Sequence, residues 1–272
     1  MAVLTVAIVH ETFHGADGPE RLAARLREAG RRGADLAVLP ELPLNDWAPA
    51  TRTSRPEDAE EPEGSRHRIM AGAARDAEIG VLGGVIVREP ASGRRLNRAL
   101  LFDARGRLVA AYDKAHLPSE EGFWESDHYE TGDEAPKRID GFALPLGIQI
   151  CSDLNRPQGC LMLGAQGVGA ILAPRATPLE TYERWRLVLR ANAVTSSTYI
   201  VSVNRPGPEA GVGIGGPSIL VAPDGGVVLE TTDPLSVARL DAHELAAARR
   251  DYPGYLPMRV ALYARGWSEI AD

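Results

Sequence analysis

Cysteine and lysine are the scarce residues of this 272-residue chain: it has two cysteines, and of its 30 basic residues only Lys114 and Lys137 are lysine. Two cysteines, Cys151 and Cys160, cannot build a disulfide framework, and their spacing matches no zinc motif. A reducing compartment, the cytoplasm, is the simplest setting. Basic charge is also short. A net charge of −7 leaves no field for neutralising phosphates, which argues against nucleic-acid partners and for small molecules. No apolar run approaches the roughly 18 residues needed to cross a bilayer. The N-terminus MAVLTVAIVHE has no basic leader region, so no membrane partner or signal peptide is expected. Arginine stays protonated in proteins whereas lysine can lose its proton, so a lysine kept in an arginine background is a candidate for amine chemistry.

What the chain does have is an ordinary globular composition, 44% hydrophobic and 25% charged. Short β-branched runs alternate with amphipathic stretches from end to end, the pattern of an α/β protein, and no linker divides it, so residues 1–272 read as one domain. Strands are expected at 3–9, 37–39, 81–87, 99–102, 108–112, 144–150, 170–173, 199–203, 217–221 and 227–230. Helices are expected at 19–32, 65–78, 157–166, 182–194 and, last, 242–250. Two irregular stretches interrupt them: 48–64, proline-rich and acidic, reads as a surface excursion or lid, and 118–136 as a long loop.

Three strand ends carry chemistry. The apolar run Leu144 to Ile150 ends at Cys151, and a helix opens a few residues later, with Asn155 as N-cap and Pro157 in its first turn. Backbone N–H groups and the positive end of a helix dipole favour a thiolate and a developing oxyanion there, although a cysteine in that place can also be a small buried hydrophobe. Cys160, inside an apolar helix, reads as core. The run Asp35 to Leu39 ends in Pro40 and Glu41, where apolar neighbours suit a general base; the plain alternative is a solvated loop charge. The run Leu108 to Tyr112 ends near Lys114, a cation for an oxyanion, and His116, which competes as base in a Cys-His hydrolase.

Glu, Lys and Cys at three strand ends, in that order, resemble the nitrilase or carbon-nitrogen hydrolase superfamily. The resemblance rests on Pro40-Glu41-Leu42, on Tyr112-Asp113-Lys114-Ala115-His116-Leu117-Pro118 and on Ile150-Cys151-Ser152-Asp153-Leu154-Asn155-Arg156-Pro157. It extends through Glu121-Gly122-Phe123-Trp124-Glu125, residues 199–205 and 215–220, and a closing Arg259 to Tyr263 segment, about residues 2–265 in all. It implies a four-layer α-β-β-α sandwich of two similar halves, commonly a homodimer or higher homo-oligomer. It implies Cys151 as nucleophile, Glu41 as general base and acid, Lys114 and the Ser152 backbone N–H as oxyanion support, and Glu125 as the second glutamate that positions substrate and holds Lys114. It implies no metal and no organic cofactor. The Cys-x-Asp pattern and the Gly-Phe-Trp-Glu loop look most like amidases and N-carbamoyl hydrolases, so a small linear amide or carbamoyl compound is the expected substrate. A nitrilase-like acyltransferase and a catalytically silent binding member are the alternatives. Arg175, after another strand end, either clamps a substrate carboxylate or pairs with a local one such as Glu125. Trp47 and Asn45 are expected at the entrance.

Overall fold

The computed structural model describes residues 2–270. The two halves of the chain repeat one plan. In the first, β1 (Val3–Ile8), α1 (Gly18–Arg31), β2 (Leu36–Val38), α2 (Ser65–Ala77) and β3 (Gly80–Arg88) make two parallel crossovers, and β4 (Arg95–Phe102) and β5 (Leu108–Asp113) then run antiparallel. In the second, β6 (Leu146–Ile148), α3 (Gln158–Ala165), β7 (Ala170–Arg175), α4 (Tyr182–Ser196) and β8 (Tyr199–Asn204) repeat the parallel part. The hairpin of β9 (Ser218–Val221) and β10 (Val227–Thr231) follows. With β11 spanning Ser236–Asp241, the sheet orders are β11-β1-β2-β3-β4-β5 and β10-β9-β8-β7-β6. The strand β11 (Ser236–Asp241), which the sequence did not reveal, returns to the first sheet and pairs with β1, Val3 opposite Asp241.

Period-2 alternation along the buried strands creates the layers. Leu4, Val6 and Ile8 of β1, with Leu36 and Val38 of β2, face the opposite sheet and meet Leu146, Ile148, Leu172, Val201 and Val203 there. Their neighbours Ala7, Ala37 and Leu39 face outward and pack under Leu22 and Leu26 of α1 and Met70 and Ala74 of α2. Ile171, Ala173 and Ile200 of the second sheet do the same with Cys160 and Leu163 of α3 and Leu189 and Ala193 of α4. The four-layer α-β-β-α sandwich is therefore present.

Some boundaries move. β4 begins at Arg95, four residues before the expected start, because Asn97 and Arg98 are polar residues inside a strand whose ends meet the site and the surface. The 48–64 excursion is no free flap: Glu60 lies along β3, its N–H donating to the Ile86 carbonyl at 2.9 Å and its carbonyl accepting from Arg88 at 2.7 Å, on the side that short β2 leaves open. Beyond α5 (Ala242–Arg250) a further helix, α6 (Val260–Ser268), buries none of its residues.

Candidate active site

Glu41, Lys114 and Cys151 stand at the carboxyl ends of β2, β5 and β6, and the two facing sheets bring those ends to one place. Lys114 is wholly enclosed. Its Nζ donates to Glu41 Oε1 at 2.7 Å and to both carboxylate oxygens of Glu125 at 2.7 Å. Asn97 of β4 donates from Nδ2 to the same Glu41 Oε1 at 2.8 Å. The other oxygen, Glu41 Oε2, is buried without a protein partner.

Electrostatics follow from one ammonium serving two carboxylates. Burial alone pushes the Lys114 ammonium down, but Glu125, Glu41 and Cys151 outweigh it and hold it well above its ordinary value. Burial lifts Glu125 above the usual carboxylate range, the Lys114 charge opposes, and repulsion from Glu41 adds to the lift. Burial and then Glu41 push the Cys151 thiol up, against the pull of Lys114. A thiol so placed stays neutral until a base takes its proton, and Glu41 is the carboxylate that acts on it most strongly.

Cys151 has φ of 46° and opens a tight turn over Cys151–Asn155, so the chain bends sharply at the thiol, whose Sγ lies 3.7 Å from the Ala176 carbonyl. Such a left-handed non-glycine residue is strained and persists only where neighbours over-determine it. Asp153 supplies that determination. Its carboxylate is fully buried and accepts from the N–H of Ile150 at 3.0 Å, of Ala115 at 3.2 Å and of His116 at 3.0 Å. It accepts further from Tyr112 Oη at 3.1 Å and contacts His116 Nδ1 at 2.8 Å. One side chain thereby bolts the Lys114 strand end to the Cys151 turn. His116 is engaged by Asp153 and does not line the cavity in front of the thiol.

That cavity, about 170 Å³, is lined by Cys151, Ser152, Glu125, Phe123, Thr177 and Trp185, with Glu120 and Arg184 at its rim. A larger open groove of about 610 Å³ along β5 touches none of the three strand-end residues. A family model described as carbon-nitrogen hydrolase matches residues 11–250. The chain belongs to that family.

Similarity to individual members of this hydrolase family is spread over the whole length. The chain is 28% identical over 258 residues to human Omega-amidase NIT2, covering 92% of each. It is 27% identical over 282 residues to the 2-oxoglutaramate amidase of Paenarthrobacter nicotinovorans, covering 99% of this chain and 94% of that one. A solved carbon-nitrogen hydrolase from Helicobacter pylori G27 superposes with a TM-score of 0.87 at 20% identity, over 96% of this chain and 97% of that chain.

The hydrolase differs from the sequence expectation at three residues. Arg175 does not reach the cavity. It is fully buried, donating to Ser202 Oγ at 3.0 Å, to Thr177 Oγ1 and to the Pro217 carbonyl. With these donors committed inside the sheet, it neither faces substrate nor pairs with Glu125. The cation at the rim is Arg184, on the first turn of α4. Trp47 likewise stands behind the wall: its Nε1 donates to the Gly122 carbonyl at 2.8 Å and its ring tilts against Phe123 at 5.7 Å. Asn45 donates to the Asp58 carbonyl at 3.0 Å, tying the excursion down. Asn97, between Leu96 and Arg98 of β4, was missed, because only its contact with Glu41 marks it as part of the site.

Proposed function

We propose that the chain hydrolyses the carbon-nitrogen bond of a small linear amide through a thioester, with Cys151 as nucleophile, Glu41 as proton carrier, Lys114 as oxyanion support and Glu125 as a holder of Lys114 and of substrate. The observation that carries this reading is the Lys114 ammonium, 2.7 Å from both Glu41 and Glu125 and enclosed beside a strained cysteine at the base of a cavity. A volume near 170 Å³ is well below that of drug-sized pockets and suits a few-carbon substrate.

Glu41 Oε2, the oxygen without a partner, takes the Cys151 proton as Sγ bonds to the carbonyl carbon. The carbonyl electron pair moves to oxygen, where Lys114 Nζ and the Ser152 N–H hold the charge. Collapse of the tetrahedral intermediate breaks the carbon-nitrogen bond, and Glu41 gives its proton to the departing amine or ammonia. Water, deprotonated by Glu41, then attacks the acyl carbon, and the thiolate leaves and recovers its proton.

Arg184 and Glu120 are the charged groups a substrate meets at the rim, which favours a molecule with a polar end, an ω-amide of an acid or an N-carbamoyl amino acid. Both cysteines are free, in keeping with a cytoplasmic setting. No helix among the described residues is long and apolar enough to cross a membrane. A homodimer fits the apolar residues left in water, Met162 of α3, Leu187 of α4 and the Tyr252 to Ile270 tail.

The test is ammonia release over simple amides, ω-amides of acids, N-carbamoyl amino acids and nitriles. Ammonia from one amide or carbamoyl class is expected, and Cys151→Ala is expected to abolish it. Turnover surviving in Cys151→Ala would sink the mechanism, and release from nitriles alone would move the chain to another branch.

A further inference from the structure

Arg205 directly follows β8, in the second half of the sandwich, and is wholly enclosed. Its Nη1 donates to the carbonyls of Glu41 at 2.9 Å and Leu42 at 2.7 Å, and its Nη2 to the Asn45 carbonyl at 3.0 Å. Glu209 is its counter-ion, with Nε to Oε2 at 3.0 Å and Nη2 to Oε1 at 2.5 Å. The same Glu209 Oε1 accepts the Trp47 N–H at 2.9 Å. One arginine-glutamate pair thus binds the backbone of residues 41, 42, 45 and 47 together.

The segment so bound is not a regular element. Leu42 has φ of 49°, where its side chain crowds the following carbonyl. Pro40 and Pro43 have no N–H to donate. Within the bend the Asn45 N–H reaches the Leu42 carbonyl at 3.1 Å, and from outside the Phe13 N–H reaches Pro43 at 2.6 Å. Gly84 of β3 lets the bend come close, since a Cβ there would meet Leu42 N at 3.2 Å. The bend begins at the residue whose Oε1 must face Lys114 and Asn97, so its backbone sets where the Glu41 carboxylate lies.

We infer that Arg205, locked by Glu209, is the positioning residue for the general base, holding the left-handed bend that aims Glu41 into the site. The inference rests on the reading of Glu41 as base. It gives the second half of the sandwich, which supplies the nucleophile, a hold on the base supplied by the first. A lysine keeps the charge but has a single nitrogen, which cannot serve Glu41, Leu42, Asn45 and Glu209 at once.

The experiment is iodoacetamide alkylation of the intact protein, followed by mass spectrometry of the Cys151 and Cys160 peptides. It reads the base because the thiolate is the reactive form, and Cys160 is an internal control for general loosening. Arg205→Lys is expected to slow Cys151 at least tenfold and leave Cys160 unchanged. Glu209→Gln, the milder change should the first not fold, is expected to slow Cys151 several-fold. Adding Arg205→Lys to Glu41→Gln should lower the rate no further, because both act through one carboxylate. An unchanged Cys151 rate in both single variants, parallel changes at both cysteines, or a loss that adds to that of Glu41→Gln would overturn the inference. Failure of the underlying reading looks different: Cys151 would react no faster than Cys160 in the unmodified chain, or Glu41→Gln would have no effect.

Discussion

Burial decides the protonation of single residues here, and His10 shows it outside the reacting centre. Its ring contacts Ser218 Oγ at 2.9 Å, and burial, with the nearby Arg175 charge, lowers its pKa to about 4 against the opposing pull of Asn204. Above pH 6.5 the ring is neutral whether the chain is folded or not. As the pH falls from about 6.5 to about 4, only the unfolded chain takes up the proton, so stability is lost across that window, by at most about 3.5 kcal/mol. Urea unfolding of His10→Gln at pH 7 and pH 4.5 is expected to show a smaller loss than the parent chain; identical losses would contradict it. At this scale Cys151, Lys114 and Glu41 were legible because rare or charged residues ended apolar runs. Asn97 and Arg205 were not, because an amide in a strand and one arginine among many carry no mark until their partners are known.

At the scale of elements, the candidate site is held by ties between strand ends that belong to different sheets. Asp153 joins the end of β5 to the turn after β6, accepting from three backbone N–H groups and from Tyr112. Asp153→Ala leaves those buried donors unpaired at about 1–3 kcal/mol for each that finds no new partner. Chemical denaturation is expected to show a loss of at least about 3 kcal/mol, with turnover falling further than the folded fraction. A loss below about 1 kcal/mol would mean that the tie is dispensable. Periodicity placed most helices and strands because their apolar residues repeat. It failed for β11, a short strand whose apolar residues are only Val237, Ala238 and Leu240 and whose partner β1 lies more than two hundred residues away. It shortened β4 because Asn97 and Arg98 looked like loop residues, yet one faces the site and the other pairs with Asp113 at 2.6 Å.

For the whole molecule, the apolar surface outside the sandwich is concentrated beyond α5. Tyr252 is 76% exposed, Val260 63% and Trp267 56%, and α6 buries none of its residues. The full chain is expected to sediment as a dimer, and a chain ending at Arg250 to keep its melting temperature within a few degrees but to sediment as a monomer; a dimer that survives would place the interface elsewhere. The alternation of short buried runs with amphipathic helices determined the α/β class by itself, because solvent exposure imposes periods of 2 and 3.6 on any such chain. The order Glu, Lys, Cys at strand ends likewise marked the family and the candidate site. Tertiary structure alone decided that Arg175 turns inward while Arg184 reaches the rim, that Asn97 shares Lys114's carboxylate, and that Arg205 grips the bend after Glu41. Those outcomes depend on which groups meet across two packed sheets, and contacts between residues 41 and 205 leave no local pattern in the sequence.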